Sequence, residues 1–317
     1  MKKSLLAFAV LAFAGNVMAQ SAAGGPDSFG YTFKDSNEPG GPGYSWIELN
    51  PALGGGGTVV PNVNQDDDYE PNVSLGFTFP FYGNNFTQIS VATNGTVYFE
   101  DVYLGLTNEC MPGTPGYTMT DYRFIAHMWN DLDPSSQGNI WMQSFSTYFV
   151  LQFDDIVPCC SAGDGDTWQL ILYSSGNIRM QYKELSNTDN FGDATVGIQN
   201  DPTTGLQYMC DNAPNALASN LAILFVHPNA ASVQEDASNL VNVFPNPTNG
   251  IITVDATAIS GLFQFEVVNQ LGQVVHTATM NGSSTSTVDL SGLSAGIYHV
   301  KLQNESMFAS KKIVLQN

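Results

Sequence analysis

The stretch VSLGFTFPFYGNNFTQISVATNGTVYFE, residues 73–100, decides the fold class. Apolar side chains recur at every second position through Phe77, Phe79 and Phe81, the period of a strand with one face buried. A turn is expected at Asn84 and Asn85, followed by ISVAT and VYFE on either side of Asn94 and Gly95. An Asn-Gly pair between apolar runs favours a tight hairpin, because its central positions tolerate positive backbone angles.

Outward from this hairpin the texture repeats. YRFIAHMW (122–129), NIWMQSF (139–145), YFVLQFDDI (148–156), WQLILY (168–173), IRMQY (178–182), ATVGIQN (194–200) and LAILFV (221–226) all read as strands. They are rich in β-branched and aromatic residues and bounded by Gly, Asn, Asp and Pro. No segment shows a convincing helical period, so the chain is expected to be all-β, with an antiparallel β-sandwich over 31–226. Long loops are expected at 50–72, 102–121, 157–166 and 201–220. Residues 227–241 read as a polar linker. Six further strands after Val243 predict a smaller, immunoglobulin-like β-sandwich over 242–317.

The chain opens with Lys2 and Lys3, an apolar run from Leu5 to Ala14, and small residues at Val17 and Ala19. This is the pattern of an export signal over residues 1–19, with residues 20–30 a flexible lead behind it. The run is too short to span a bilayer, and no later window holds about 18 uninterrupted apolar residues. Removing residues 1–19 leaves seven basic against 29 acidic side chains, a net charge of −22. Such a surface repels phosphates, which excludes nucleic acid as a partner and favours cations.

Export makes disulfides the expected state of Cys110, Cys159, Cys160 and Cys210. A bond between the adjacent Cys159 and Cys160 closes a strained ring, so each of these two is expected to join one of the distant pair, Cys110 or Cys210. Zinc is disfavoured, because no two cysteines stand at ligand spacing.

FPNPTNG (244–250), VVNQLGQVV (267–275), DLSGLSAGIYHVKL (289–302) and KKIVLQN (311–317) form an ordered set. Pro245 and Pro247 block helix entry, Asn246 favours a turn, and Gly250 ends it. Leu271 and Gly272 mark a hairpin reversal, and Gly296 precedes the alternation that carries Tyr298. Together these motifs resemble the C-terminal sorting domain of type IX secretion system cargo. The resemblance implies passage across the outer membrane, contact with the secretion machinery and its sorting protease, and removal of the domain. Release, or anchoring to surface lipopolysaccharide, would follow. Lys311 and Lys312 are the expected exposed contacts. Residues 73–200 resemble, in three patches, nidogen-like extracellular sandwiches, which implies binding or scaffolding outside the cell.

HMWNDLDP (127–134) holds one imidazole, one indole and two carboxylates. Alternation through Phe124, Ala126 and Met128 is expected to send that face inward, with Asn130, Asp131, Asp133 and Pro134 running out into a turn. Asp131 and Asp133 could also serve calcium, joined by Asp164 and Asp166 or by the run Asp66–Asp68, at the millimolar-range affinity of extracellular sites. The rival reading is a polysaccharide hydrolase using Asp131 or Asp133 as acid or base. His127 is the one histidine available to a Ser-His-Asp arrangement, and its place beside Trp129 favours a structural role instead. Tyr31, Tyr44, Trp46, Tyr69, Tyr103 and Tyr117 lie near the long loops, where rings could stack on glycans or anchor a protein partner.

Overall fold

The computed structural model describes residues 22–103, 105–112, 122–159, 163–186, 192–211, 213–229, 235–236, 238–259, 262–282, 284–303 and 307–316. The signal segment, Cys160 and Tyr117 lie outside the described residues.

In the first unit the strands are β1 (Ala23–Gly24), β2 (Thr32–Asp35), β3 (Thr58–Val59), β4 (Tyr69–Phe81), β5 (Asn84–Ala92), β6 (Thr96–Tyr98), β7 (Phe124–Trp129) and β8 (Asn139–Ser144). They continue as β9 (Tyr148–Ile156), β10 (Asp166–Tyr173), β11 (Ile178–Glu184), β12 (Thr195–Asp201), β13 (Thr204–Cys210), β14 (Ala213–Pro214) and β15 (Leu221–Val226). One sheet runs β1-β2-β15-β11-β10-β9-β8-β3, and the other runs β14-β13-β12-β7-β6-β5-β4. Every pairing in both sheets is antiparallel. The core between them takes Leu151, Phe153, Trp168, Leu170, Met180 and Ile223 from the first sheet, and Phe79, Phe81, Ile89, Val97, Ile125 and Ile198 from the second.

Six features differ from the sequence reading, four of them in the strands and lead of the first unit. The first hairpin turns at Tyr82 and Gly83, both at positive φ, two residues before the expected Asn pair, and the Tyr82 hydroxyl is tied to Asp27 at 2.7 Å. Residues 22–30 are not a free lead. Ala22 is buried, β1 pairs with β2, and Asp27 Oδ1 accepts the amides of Phe29, Gly30 and Tyr31. The expected loop 201–220 contains β13, because the turn at 202–203 folds it back on β12. Alternation along β7 changes phase at a register shift against β12: Met128 joins the main core as expected, but so does Ile125, while Phe124, Ala126 and Trp129 face a second cluster with Tyr98 and Met111. Both faces are buried because the loop carrying Val102, Tyr103 and Met111 covers the outer one.

That loop is held by the bond between Cys110 and Cys210, whose Cα atoms are 5.4 Å apart. The expected pairing of Cys110 with a vicinal cysteine is thereby corrected: strand β13 brings Cys210 opposite Thr195, beside the loop's end.

The second unit has its own core, centred on Phe265, Val267, Val300 and Ile313. Its strands are β16 (Glu235–Asp236), β17 (Asn242–Phe244), β18 (Ile251–Asp255), β19 (Leu262–Asn269), β20 (Val274–Asn281), β21 (Thr285–Asp289), β22 (Gly296–Gln303) and β23 (Met307–Leu315). They form sheets ordered β16-β23-β22-β19-β20 and β17-β18-β21. Part of the expected linker is therefore structured, since β16 pairs with Met307 and Phe308. Among the described residues no helix is long and apolar enough to cross a membrane.

Candidate functional site

At one end of the first sandwich four loops meet around Asn94, which is fully buried. Gly95 takes the positive φ expected of the Asn-Gly turn, and a Cβ there would collide with the Met128 carbonyl oxygen, so the turn presses against β7. The Asn94 side chain then works in two directions. Its Nδ2 donates to Asp67 Oδ1 at 2.7 Å and to the Tyr103 hydroxyl at 2.8 Å, while its Oδ1 accepts the Leu132 amide at 2.8 Å. One amide thus joins the loop before β4, the loop after β6 and the segment leaving β7. A buried amide with its donors and its acceptor satisfied fixes geometry well, because any displacement leaves a group unpaired.

This hub brings together Asp66, Asp67 and Asp131, one carboxylate oxygen of each lying within 4.8 Å of the other two. Burial, then the Asp67, Asp66 and Asp133 charges, push the Asp131 carboxyl above its ordinary pKa. Burial, followed by Asp67 and Asp133, does the same to Asp66. Like charges held this close disfavour ionisation, and a bound cation would relieve them. Asp131 is held by its backbone, which accepts the Cys159 amide at 2.8 Å.

Asp133 plays a different part. Burial works to raise its carboxyl, but the hydroxyls and amides of Ser135 and Ser136 outweigh that and hold it below the ordinary range. An ionised group whose oxygens are taken by serines is a turn anchor, poorly suited to donate a proton. Asp164 is exposed, and Asp166 is buried at the start of β10, where it accepts the Ser186 amide at 2.7 Å. Neither joins Asp131. The expected alliance with the 66–68 run is the one the fold assembles, through two of its three residues.

Beside the carboxylates, Tyr69 and Tyr103 stack with ring centroids 5.8 Å apart and planes 8° from parallel. Tyr103 donates to Asp67 at 2.9 Å and Tyr69 to Asp101 at 3.0 Å, and both rings are half-buried. Of the other loop aromatics, Tyr31 is sealed in the core, whereas Tyr44 and Trp46 belong to a strap across the first sheet. His127 is fully buried, its Nδ1 accepting Trp168 Nε1 at 2.8 Å, and burial lowers its pKa to about 3. It is a core residue, out of reach of any substrate. Sequence reasoning missed Asn94 as a hub, because a turn signal says nothing about where the side chain reaches.

In the second unit, Asn246 stitches the turn to the last strand: its Nδ2 donates to Lys312 O at 2.8 Å and its Oδ1 accepts Val314 N at 2.9 Å. Thr248 continues the seam, exchanging backbone bonds with Val314 and Gln316. Gly250 sits at positive φ against Ser291, and the Tyr298 hydroxyl reaches Ser294 O at 2.8 Å. Leu271 stands on an exposed hairpin tip whose turn is closed by Asn269, with Gly272 at positive φ. Lys311 and Lys312 line a shallow groove with Val243, Phe244, Asn246 and Asp255.

Two family models match the chain. The C-terminal sorting domain of secretion systems matches residues 242–316, the unit built around the Asn246 seam. The NIDO-related model matches residues 43–235, more than half of the chain, and spans the acidic loop end. The chain belongs to the NIDO-related family, as cargo that the type IX secretion system exports to the cell surface or beyond.

Proposed function

We propose that the exported sandwich is a calcium-assisted binding protein of the cell surface, which holds extracellular glycans at the loop end organised by Asn94. One observation carries this reading: Asp66, Asp67 and Asp131 converge within 4.8 Å beside a half-exposed tyrosine pair, one of whose hydroxyls is bonded to Asp67. Calcium takes about six to eight oxygen ligands, so three carboxylates leave positions open for vicinal sugar hydroxyls. The tyrosines give a sugar ring an apolar wall alongside. The hydrolase reading gains no support from Asp133, which is committed to Ser135 and Ser136.

The C-terminal unit is read as a removable address, cut within 227–241 by the sorting protease. Lys311 and Lys312 are its contacts with the machinery.

The test is a glycan array probed with mature protein in calcium at about 1 mM or in chelator, beside thermal melts. Calcium should raise the midpoint and permit glycan retention. At calcium about tenfold above Kd the stabilisation is about 1.4 kcal/mol. Asp131→Asn should abolish both effects and, in chelator, melt slightly above the parent because a repelling charge is gone. Tyr103→Ala should keep the calcium shift and lose the glycan. Retention of a protein ligand alone would replace the glycan, and indifference to calcium would remove the metal.

A further inference from the structure

Three glutamines, Gln152, Gln169 and Gln181, are each fully buried. They stand side by side on β9, β10 and β11, since Gln169 is in register with both of the others. They lie on the sheet face opposite the main core, the face that carries Val150 and Ile171. Across them runs an extended segment. Gln181 exchanges two bonds with the backbone of Ser45, accepting its amide at 2.7 Å and donating to its carbonyl at 2.6 Å. Gln169 does the same with Ile47, and Gln152 accepts the Leu49 amide at 2.9 Å. Gln169 also donates to Gln152 at 3.0 Å, tying neighbouring rungs together.

What this ladder reads is main chain at alternate residues, as a neighbouring strand would. Side-chain fit is added at Lys183, which pairs with Glu48 at 3.2 Å and lies over the Trp46 ring at 5.2 Å. The segment is bracketed by glycine-rich chain, PGGPG at 39–43 and GGGG at 54–57. Its ends leave from β2 and β3, which lie at or next to opposite edges of the sheet. The strap therefore belongs to an excursion of 22 residues, 36–57, fastened to the sheet by backbone bonds to the three glutamines and by the side chains of Glu48, Leu49 and Asn50, with turn bonds from Gly41, Gly55 and Gly57 closing its glycine-rich ends.

We propose that the glutamine ladder is a docking track for extended polypeptide, and that its second occupant is residues 45–49 of another copy of this chain, so that exported molecules associate by trading straps. The identical segment is the best-fitted partner available, because it alone brings the Leu49 contact and the Glu48–Lys183 pair along with the backbone bonds. A net charge near −22 opposes the encounter, so association should strengthen as salt screens it.

The experiment uses the whole chain without its signal segment, in two variants. Glu48→Lys makes a strap repelled by its own Lys183, and Lys183→Glu makes a track repelled by its own Glu48. Mixed, the strap of the first and the track of the second carry opposite charges again. The expected result is a heterodimer by native mass spectrometry, at least tenfold more abundant in the mixture than any dimer of either variant alone. Gln169→Ala introduced into the Lys183→Glu partner should reduce it. In the unaltered protein, the amides of Ser45, Ile47 and Leu49 should exchange with deuterium faster than those of Leu170 and Met180. A monomeric mixture, or strap amides that exchange only with global unfolding, overturns the proposal. Near-ultraviolet circular dichroism of each variant shows whether the sandwich has kept its fold.

Discussion

His127 shows how much a single burial decides. Its alternation partner in the core is Ile125, and its neighbours are Phe153 and Trp168, with ring centroids 4.8 and 6.2 Å away. The folded imidazole stays neutral down to about 3, whereas the unfolded one takes a proton below about 6.5. Its contribution to stability is therefore complete above 6.5 and is lost as pH falls from there toward 3, by about 1.4 kcal/mol per unit. His127→Phe should remove that slope. It should also cost about 1–3 kcal/mol at pH 7.5, because Trp168 Nε1 loses its acceptor. Urea titrations of the two proteins should then converge near pH 5; parallel curves at every pH would mean that the folded imidazole does protonate. The residue was legible as structural from its place beside Trp129. Its acceptor role was not, since Trp168 lies 41 positions away in the sequence.

Strands were the most legible elements, because period-two alternation and turn residues are local properties. What escaped was everything fixed by chain folding over itself. The glutamines of β9, β10 and β11 sit singly in apolar runs, and only strand register turns them into a row. Strand β13 was hidden because Thr204–Cys210 carries weak alternation, and the Cys110–Cys210 pairing was hidden with it. That bond does elemental work: it holds the loop whose Gly105 carbonyl accepts Trp129 Nε1 at 3.2 Å and whose Met111 covers the outer face of β7. Replacing both cysteines by serine should cost about 2–5 kcal/mol, the range for closing a long loop. Limited proteolysis should then cut first between Val102 and Pro112, while β9 and β10 stay protected. Cleavage unchanged in rate would show that packing alone holds the loop. A non-reducing peptide map should link the Cys110 and Cys210 peptides directly.

At the scale of the whole molecule, the chain divides its tasks between two cores that share no residue. The acidic charge lies almost wholly on the first unit, with 23 acidic against four basic residues over 24–230. Three of the remaining basic residues, Lys301, Lys311 and Lys312, lie on the last two strands of the second unit. The sorting domain's terminal strand is held from both sides, by β22 along its length and by Asn246 and Thr248 near its end. If the secretion machinery recognises that strand only in its folded register, then Asn246→Ala should block export by freeing Lys312 and Val314. Loss of the two bonds weakens the second unit by about 1–3 kcal/mol. The first unit, which shares none of those contacts, should melt at its parent temperature. Asn246→Asp retains the acceptor for Val314 but not the donor to Lys312, so it should export at an intermediate level. Fractionation of the native host distinguishes the cases: uncut precursor accumulating in the periplasm for Ala, and partly for Asp, is the expected outcome. Parental export of an Asn246→Ala chain whose second unit is demonstrably loosened would mean that the machinery reads the tail as an extended peptide, with no need for the sandwich around it.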